Sequence, residues 1–160
     1  MAAPPIAASN RFIPEGTTVY YWVVTMATYT APTRAELNAG TNLTPEVADS
    51  GAWAITSNAV DAPDLATTFT AQIPGKISVD GATINMYSDV AAADARALMP
   101  RNTVGYIVKF PGGDVAGRKM TVFPVKVGSV AEPTAFGNPT TLNFAYYVSR
   151  IPGENLTVPA

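Results

Sequence analysis

A chain of 160 residues with 10 basic and 12 acidic side chains, no histidine and no cysteine, lacks the raw material of most familiar active sites. Without cysteine there is no disulfide framework, thiolate nucleophile or zinc–thiolate site; without histidine the commonest general base and transition-metal ligand are gone. A formal charge of −2 with no basic run argues against nucleic-acid binding, which needs clustered Lys and Arg on phosphates.

The length predicts one domain over residues 1–160, with a flexible N-terminal arm (1–10) and a C-terminal arm (151–160). The start has neither the charged nor the apolar region of a signal peptide, and no run approaches the ~18–20 apolar residues of a membrane span, so a soluble intracellular product is expected. Only 14% of residues are charged, against about 25% in a typical soluble domain. So few charges leave much surface better suited to other copies of the chain than to water.

Residues 17–27 give the strongest strand signal: Tyr20, Trp22 and Met26 alternate with Val19, Tyr21 and Val23, and both faces are apolar, so both should be covered. Residues 31–64 read as a long irregular loop, a length usually functional or partner-bound. Within it, Thr33 and Glu36 have capping-box spacing ahead of Gly40, Thr44-Pro45-Glu46 offers a second helix start, and Trp53 with Ile55 suggests one short strand. Residues 66–73 alternate as a half-buried strand. The turn signals Pro74-Gly75 and Asp80-Gly81 predict a short strand over 76–79, hairpinned onto 82–87.

The stretch 84–130 organises the rest. It reads as a strand (84–87), a helix (about 90–99) capped by Ser88 or Asp89 and stopped by Pro100, a strand (104–110), a turn (111–117) and a long strand (118–130). Val90, Ala93, Ala97 and Leu98 would form the helix's packed face. Pro124 lacks a ladder donor and should mark a bulge or an edge. Residues 132–139 read as a loop and 140–149 as the last strand, with Leu142, Phe144, Tyr146 and Val148 inward. The fold class is mainly β, an antiparallel sandwich or barrel with one short flanking helix.

Carboxylates are the only catalytic material left. Asp61 and Asp64 flank Pro63, and Asp89 and Asp94 bracket the helix start, but turn, cap and helix-dipole roles explain them better than a glycosidase pair. Neither Asp80-Gly81 nor Gly112-Gly113-Asp114 continues as a calcium loop. The glycines of 112–117 lie between strands and read as a hairpin turn, not a phosphate cradle. Ser50, Ser129 and Ser149 have no histidine to activate them, and the glycosylation patterns at Asn42 and Asn155 lack a secretory signal. Tyr20, Tyr21 and Trp22 cannot share one stacking platform, because consecutive strand residues point to opposite faces. No catalytic, cofactor-binding or metal-binding residue is assigned, and the chain is expected not to be an enzyme.

Several phrases, in order over residues 11–152, carry a resemblance: Arg11-Phe-Ile-Pro-Glu-Gly-Thr-Thr-Val-Tyr, Ala31-Pro-Thr-Arg-Ala-Glu-Leu, Gly40-Thr-Asn-Leu-Thr, Ala62-Pro-Asp-Leu, Phe69-Thr-Ala-Gln-Ile-Pro-Gly, Gly105-Tyr-Ile-Val, Gly113-Asp-Val-Ala-Gly and Val122-Phe-Pro-Val-Lys-Val. As a set they resemble the major tail (tail tube) proteins of long-tailed actinobacterial phages. The resemblance implies a structural virion protein, made in the host cytoplasm, whose six-membered rings stack into the hollow tube that delivers DNA. It also implies tape measure, tail terminator and tail-tip or baseplate proteins as partners, with DNA passing the lumen unbound, no membrane contact and no cofactor. Two other expectations stay open: the inner tube of a phage-derived contractile injection device, and a β-sandwich module binding a ligand or receptor.

Overall fold

The structure, a computed structural model, describes residues 3–7, 9–91 and 93–160. Among these residues ten strands and two short helices follow in order: β1 (Val19–Val23), α1 (Arg34–Asn38), β2 (Thr41–Asn42), β3 (Val47–Ser50), β4 (Ala54–Ala62), β5 (Ala71–Asp80), β6 (Thr83–Tyr87), α2 (Ala95–Leu98), β7 (Val104–Phe110), β8 (Lys119–Ala131), β9 (Thr141–Val148) and β10 (Gly153–Thr157), with a 3₁₀ turn at Thr44–Glu46. With 44% strand and 8% helix, the fold is mainly β, antiparallel throughout its pairings.

Eight strands form one sheet in the order β2-β1-β7-β8-β9-β6-β3, with β10 alongside β8. Its first and last strands, β2 and β3, are joined by the single 3₁₀ turn, so the sheet must curl until its ends meet. The hydroxyls of Tyr20 on β1 and Ser50 on β3 lie 2.8 Å apart across that seam. The period-2 alternation of each strand then sorts side chains to the inside or outside of a barrel. Tyr20, Trp22, Ile84, Met86, Ile107, Phe123, Val125, Leu142, Phe144 and Tyr146 fill the inside, where they are buried. Gly105 makes room there, since a Cβ on it would lie 2.6 Å from the Trp22 ring.

The outward side chains of β1, β7 and β8, with Met26 just beyond β1, build a second cluster of Val23, Met26, Val108, Phe110, Met120 and Val122. Leu37 of α1 and Val158 beyond β10 cover it. Both faces of β1 are therefore covered within one chain. The helix doing so is α1, whose capping box is complete: Thr33 and Glu36 bond reciprocally, and Glu36 also accepts the Ala27 N–H at 2.6 Å.

Strands 104–110 and 119–131 and the turn between them fall where the sequence places them. Pro124 lies between the part of β8 that pairs β10 (through Val122) and the part that pairs β9 (from Val125), where its missing N–H removes no bond to either. Its carbonyl accepts the Ser149 N–H at 2.9 Å.

Five expectations need correction. The helix expected over about 90–99 is only α2 (Ala95–Leu98), with Ala92 outside the described residues. Its N-cap is Asp94, whose carboxylate accepts the Arg96 N–H and reaches back to the Asp89 N–H, both at 3.0 Å, so the preceding residues turn around that group. Val90 is fully exposed, and Ala95, Leu98 and Met99 make the packing contacts instead. The C-terminal stretch expected as an arm (151–160) is strand β10, held because Leu156 and Val158 bury against the outer cluster. At the other terminus, residues 3–7 and 9–13 are exposed without regular structure; Met1, Ala2 and Ala8 of the expected arm lie outside the described residues.

The long irregular loop over 31–64 is instead α1, β2, the 3₁₀ turn, β3 and the whole of β4. Finally, 76–79 does not hairpin onto 82–87. It belongs to β5, which pairs β4, whereas β6 pairs β3 and β9. The 66–73 strand shrinks accordingly: residues 66–70 form the loop between β4 and β5.

Candidate assembly surfaces

The most conspicuous feature outside the barrel is the β4–β5 hairpin, a separate two-stranded sheet. Its root is fixed by Trp53. That residue holds a left-handed backbone (φ 49°), strained for a bulky side chain. The strain is tolerated because the indole is buried against Phe123 and Tyr146, with ring centres 4.8 and 5.6 Å away, and its N–H donates to the Thr83 carbonyl at 3.1 Å. Ile55 and Val79, opposite each other at the base, also pack on the inner core.

Beyond the base the hairpin leaves the barrel. Val60, Leu65, Phe69, Ile73 and Ile77 are exposed, Leu65 completely. The register shifts between Ser57 and Ala59, where β5 carries one extra residue. Before the shift Ile55 faces Val79 and Ser57 faces Ile77; after it Val60 faces Ile73 and Ala62 faces Ala71. Since side chains alternate along β4, the Val60–Ile73 pair lies on the opposite face from Ile55–Val79. Gly75 permits this bulge: a Cβ there would lie 2.7 Å from both the Val60 methyl and the Asn58 carbonyl oxygen. The arm thus turns one apolar face to its own core and, further out, the other face away.

Strand directions give the barrel two ends. β1, β6 and β8 start at one end and β3, β7 and β9 start at the other, because each neighbouring pair is antiparallel. The hairpin leaves β3 and enters β6 at the first end, where the segment ahead of β1 also arrives; Pro14 and Gly16 share a groove with Gly51 and Ala52. At the second end, residues 88–103 and 132–140 connect the strands and enclose an open cleft of about 780 Å³.

An ion-pair cluster ties those two connections together. Arg96 donates to Asp94 at 2.7 Å and to Glu132 at 2.9 Å, and the Ser88 hydroxyl donates to Glu132 at 2.9 Å. The Arg96 guanidinium holds the Asp94 carboxyl down at about 2. On the outer face Arg34 and the Tyr21 hydroxyl both donate to Asp114 at 2.9 Å, fixing the 111–117 turn against α1. The other flagged carboxylates make local bonds: Asp61 accepts from the Gln72 amide at 2.8 Å and Asp64 from the Ala66 N–H at 2.8 Å. Asp61–Asp64 and Asp89–Asp94 lie at different ends of the barrel and do not converge. Among the described residues no three Asp or Glu side chains form a metal-binding group, and no helix is long and apolar enough to cross a membrane.

A barrel complete in itself, with a long apolar arm projecting from one end, defines a building-block protein. The chain belongs to the phage tail tube protein family, whose pattern it matches over residues 7–160. It is thus a structural protein of the phage tail. No curated protein matches it. Sequence reading missed the arm's pairing, the role of Trp53 and the Arg96 cluster. The signal available for the arm was the alternation of Phe69, Ala71 and Ile73, which marks an apolar strand face without saying whose core it meets.

Proposed function

We propose that this chain is the tail tube subunit of a long-tailed actinobacterial phage, six copies closing a ring and rings stacking into the hollow conduit for DNA. The observation carrying this reading is the β4–β5 arm. A lone two-stranded hairpin is marginal in water, and this one exposes Val60, Leu65, Phe69 and Ile73 away from a barrel that already has its core. Neighbouring copies supply the missing cover. The low charge content suits such contacts, and the acidic balance suits a channel through which DNA slides without sticking. The subunit works by shape and contact, not catalysis. Its partners in the virion are itself, the tape measure, the tail terminator and the tail-tip proteins, after synthesis in the host cytoplasm.

Negative-stain electron microscopy of the purified chain, with its mass from light scattering, tests this. Hollow tubes or six-membered rings are expected. A monomer at every concentration, even when seeded with tail tips, would overturn it.

A further inference from the structure

The two barrel ends differ in chemistry as well as shape. The segment before β1 carries Arg11 as the only charge within residues 3–13, followed by Phe12 and Ile13, which are 56% and 69% exposed. The cleft at the far end is lined by Asp89 and Glu132 with Arg96 as the one cation among its lining residues; Arg96 also pairs the buried Asp94 carboxylate, and Asp89 has no ion-pair partner among the described residues. Tyr87 and Val90 line the cleft with exposed apolar surface.

We propose that Arg11-Phe12-Ile13 of one copy docks in the cleft between residues 88–99 and 132–140 of the next copy along the stack. The guanidinium meets Asp89, and Phe12 and Ile13 cover Val90 and Tyr87. This rests on the proposed stacking of rings into a tube, with each copy set head to tail on the next. A joint joining opposite ends of identical subunits cannot close on itself as a pair and propagates. Reach is no obstacle, because Arg11-Phe12-Ile13 directly precedes the Pro14–Thr18 turn at the arm end, the end that a head-to-tail joint sets against the next copy's cleft. Charge selects this segment over the hairpin as the occupant. The hairpin brings Asp61, Asp64 and Asp80 against Lys76 alone, and like charge opposes its entry to an acidic cleft.

The test is a charge swap read by light scattering and electron microscopy. Arg11→Glu and Asp89→Lys should each raise the concentration needed for tubes by about tenfold, and the double variant should recover most of that loss. Wild-type tubes with unaffected single variants, or a double variant no better than either single one, would overturn the docking while leaving the tube reading intact. A second measurement needs no tubes: a peptide of residues 3–14 titrated into the dispersed chain and followed by NMR. Shifts at Tyr87, Val90 and Thr140, lost in Asp89→Lys, are expected. No shifts, or shifts elsewhere, would overturn the docking even if the wild-type chain stays monomeric and the tube reading fails.

Discussion

The chain contains two long antiparallel hairpins of similar geometry and opposite fate. In β7–β8 the apolar residues at the middle of the hairpin are buried on both faces, with Ile107, Val108, Phe110, Val122, Phe123 and Val125 at 2% exposure or less. In β4–β5 the pairing is as long, with one bulge, yet beyond Ile55 and Val79 the apolar residues face solvent. Hydrogen bonding cannot account for the difference, since both ladders are made. Burial does: each fully buried apolar side chain contributes roughly 1.5–3 kcal/mol, and the outer arm has none of this within one chain. The first hairpin stabilises the fold, and the second is built to stabilise an assembly.

Substitutions should separate the two. Trp22→Ala, in the inner core beside Gly105, should cost about 3–5 kcal/mol in chemical denaturation; unchanged stability would refute its structural role. Trp53→Ala strikes the joint between the regions. It should cost about 3 kcal/mol and also weaken tube formation in seeded assays, because the arm's root loses its anchor. Asp94→Asn keeps a competent cap but removes the charge that Arg96 pairs with, and should cost about 1 kcal/mol. Asp94 titrates at about 2 in the folded chain against an ordinary 3.8, so its contribution is full above about 4 and fades as pH falls toward 2. Acid titration of stability should show that fall in the wild type and a shallower one in the variant. Smallest for the monomer, Ile73→Ser on the outer arm should change stability by no more than about 0.5 kcal/mol yet suppress tubes. Equal loss of both would place Ile73 in the fold instead.

The sequence shows one hairpin well and the other poorly for a physical reason. Alternation in 104–110 and 140–149 marks faces that meet the chain's own core, so local pattern and tertiary contact agree. In 66–73 the same alternation marks a face that meets no part of this chain's core, and the partner strand is fixed by pairing across a loop. Asp80-Gly81 is a turn, but it leads from the arm into β6 and does not close a hairpin. β10 was hidden differently: Gly153-Glu-Asn-Leu-Thr has little apolar content, and only docking beside β8 makes it a strand. The shortened α2 reflects a choice among caps, where Asp94 binds two backbone N–H groups and Arg96 at once. On the assembly side, charge depletion was legible from composition, whereas the acidic cleft needed residues 88–99 and 132–140 brought together.

The most direct test of the arm's purpose is hydrogen exchange by mass spectrometry on dispersed chain and on assembled tubes. The account predicts that amides across residues 57–77 exchange quickly when dispersed and become strongly protected in the tube, while β7 and β8 are protected in both. Equal exchange of the arm in the two states would contradict it, because the exposed apolar face would then have no partner.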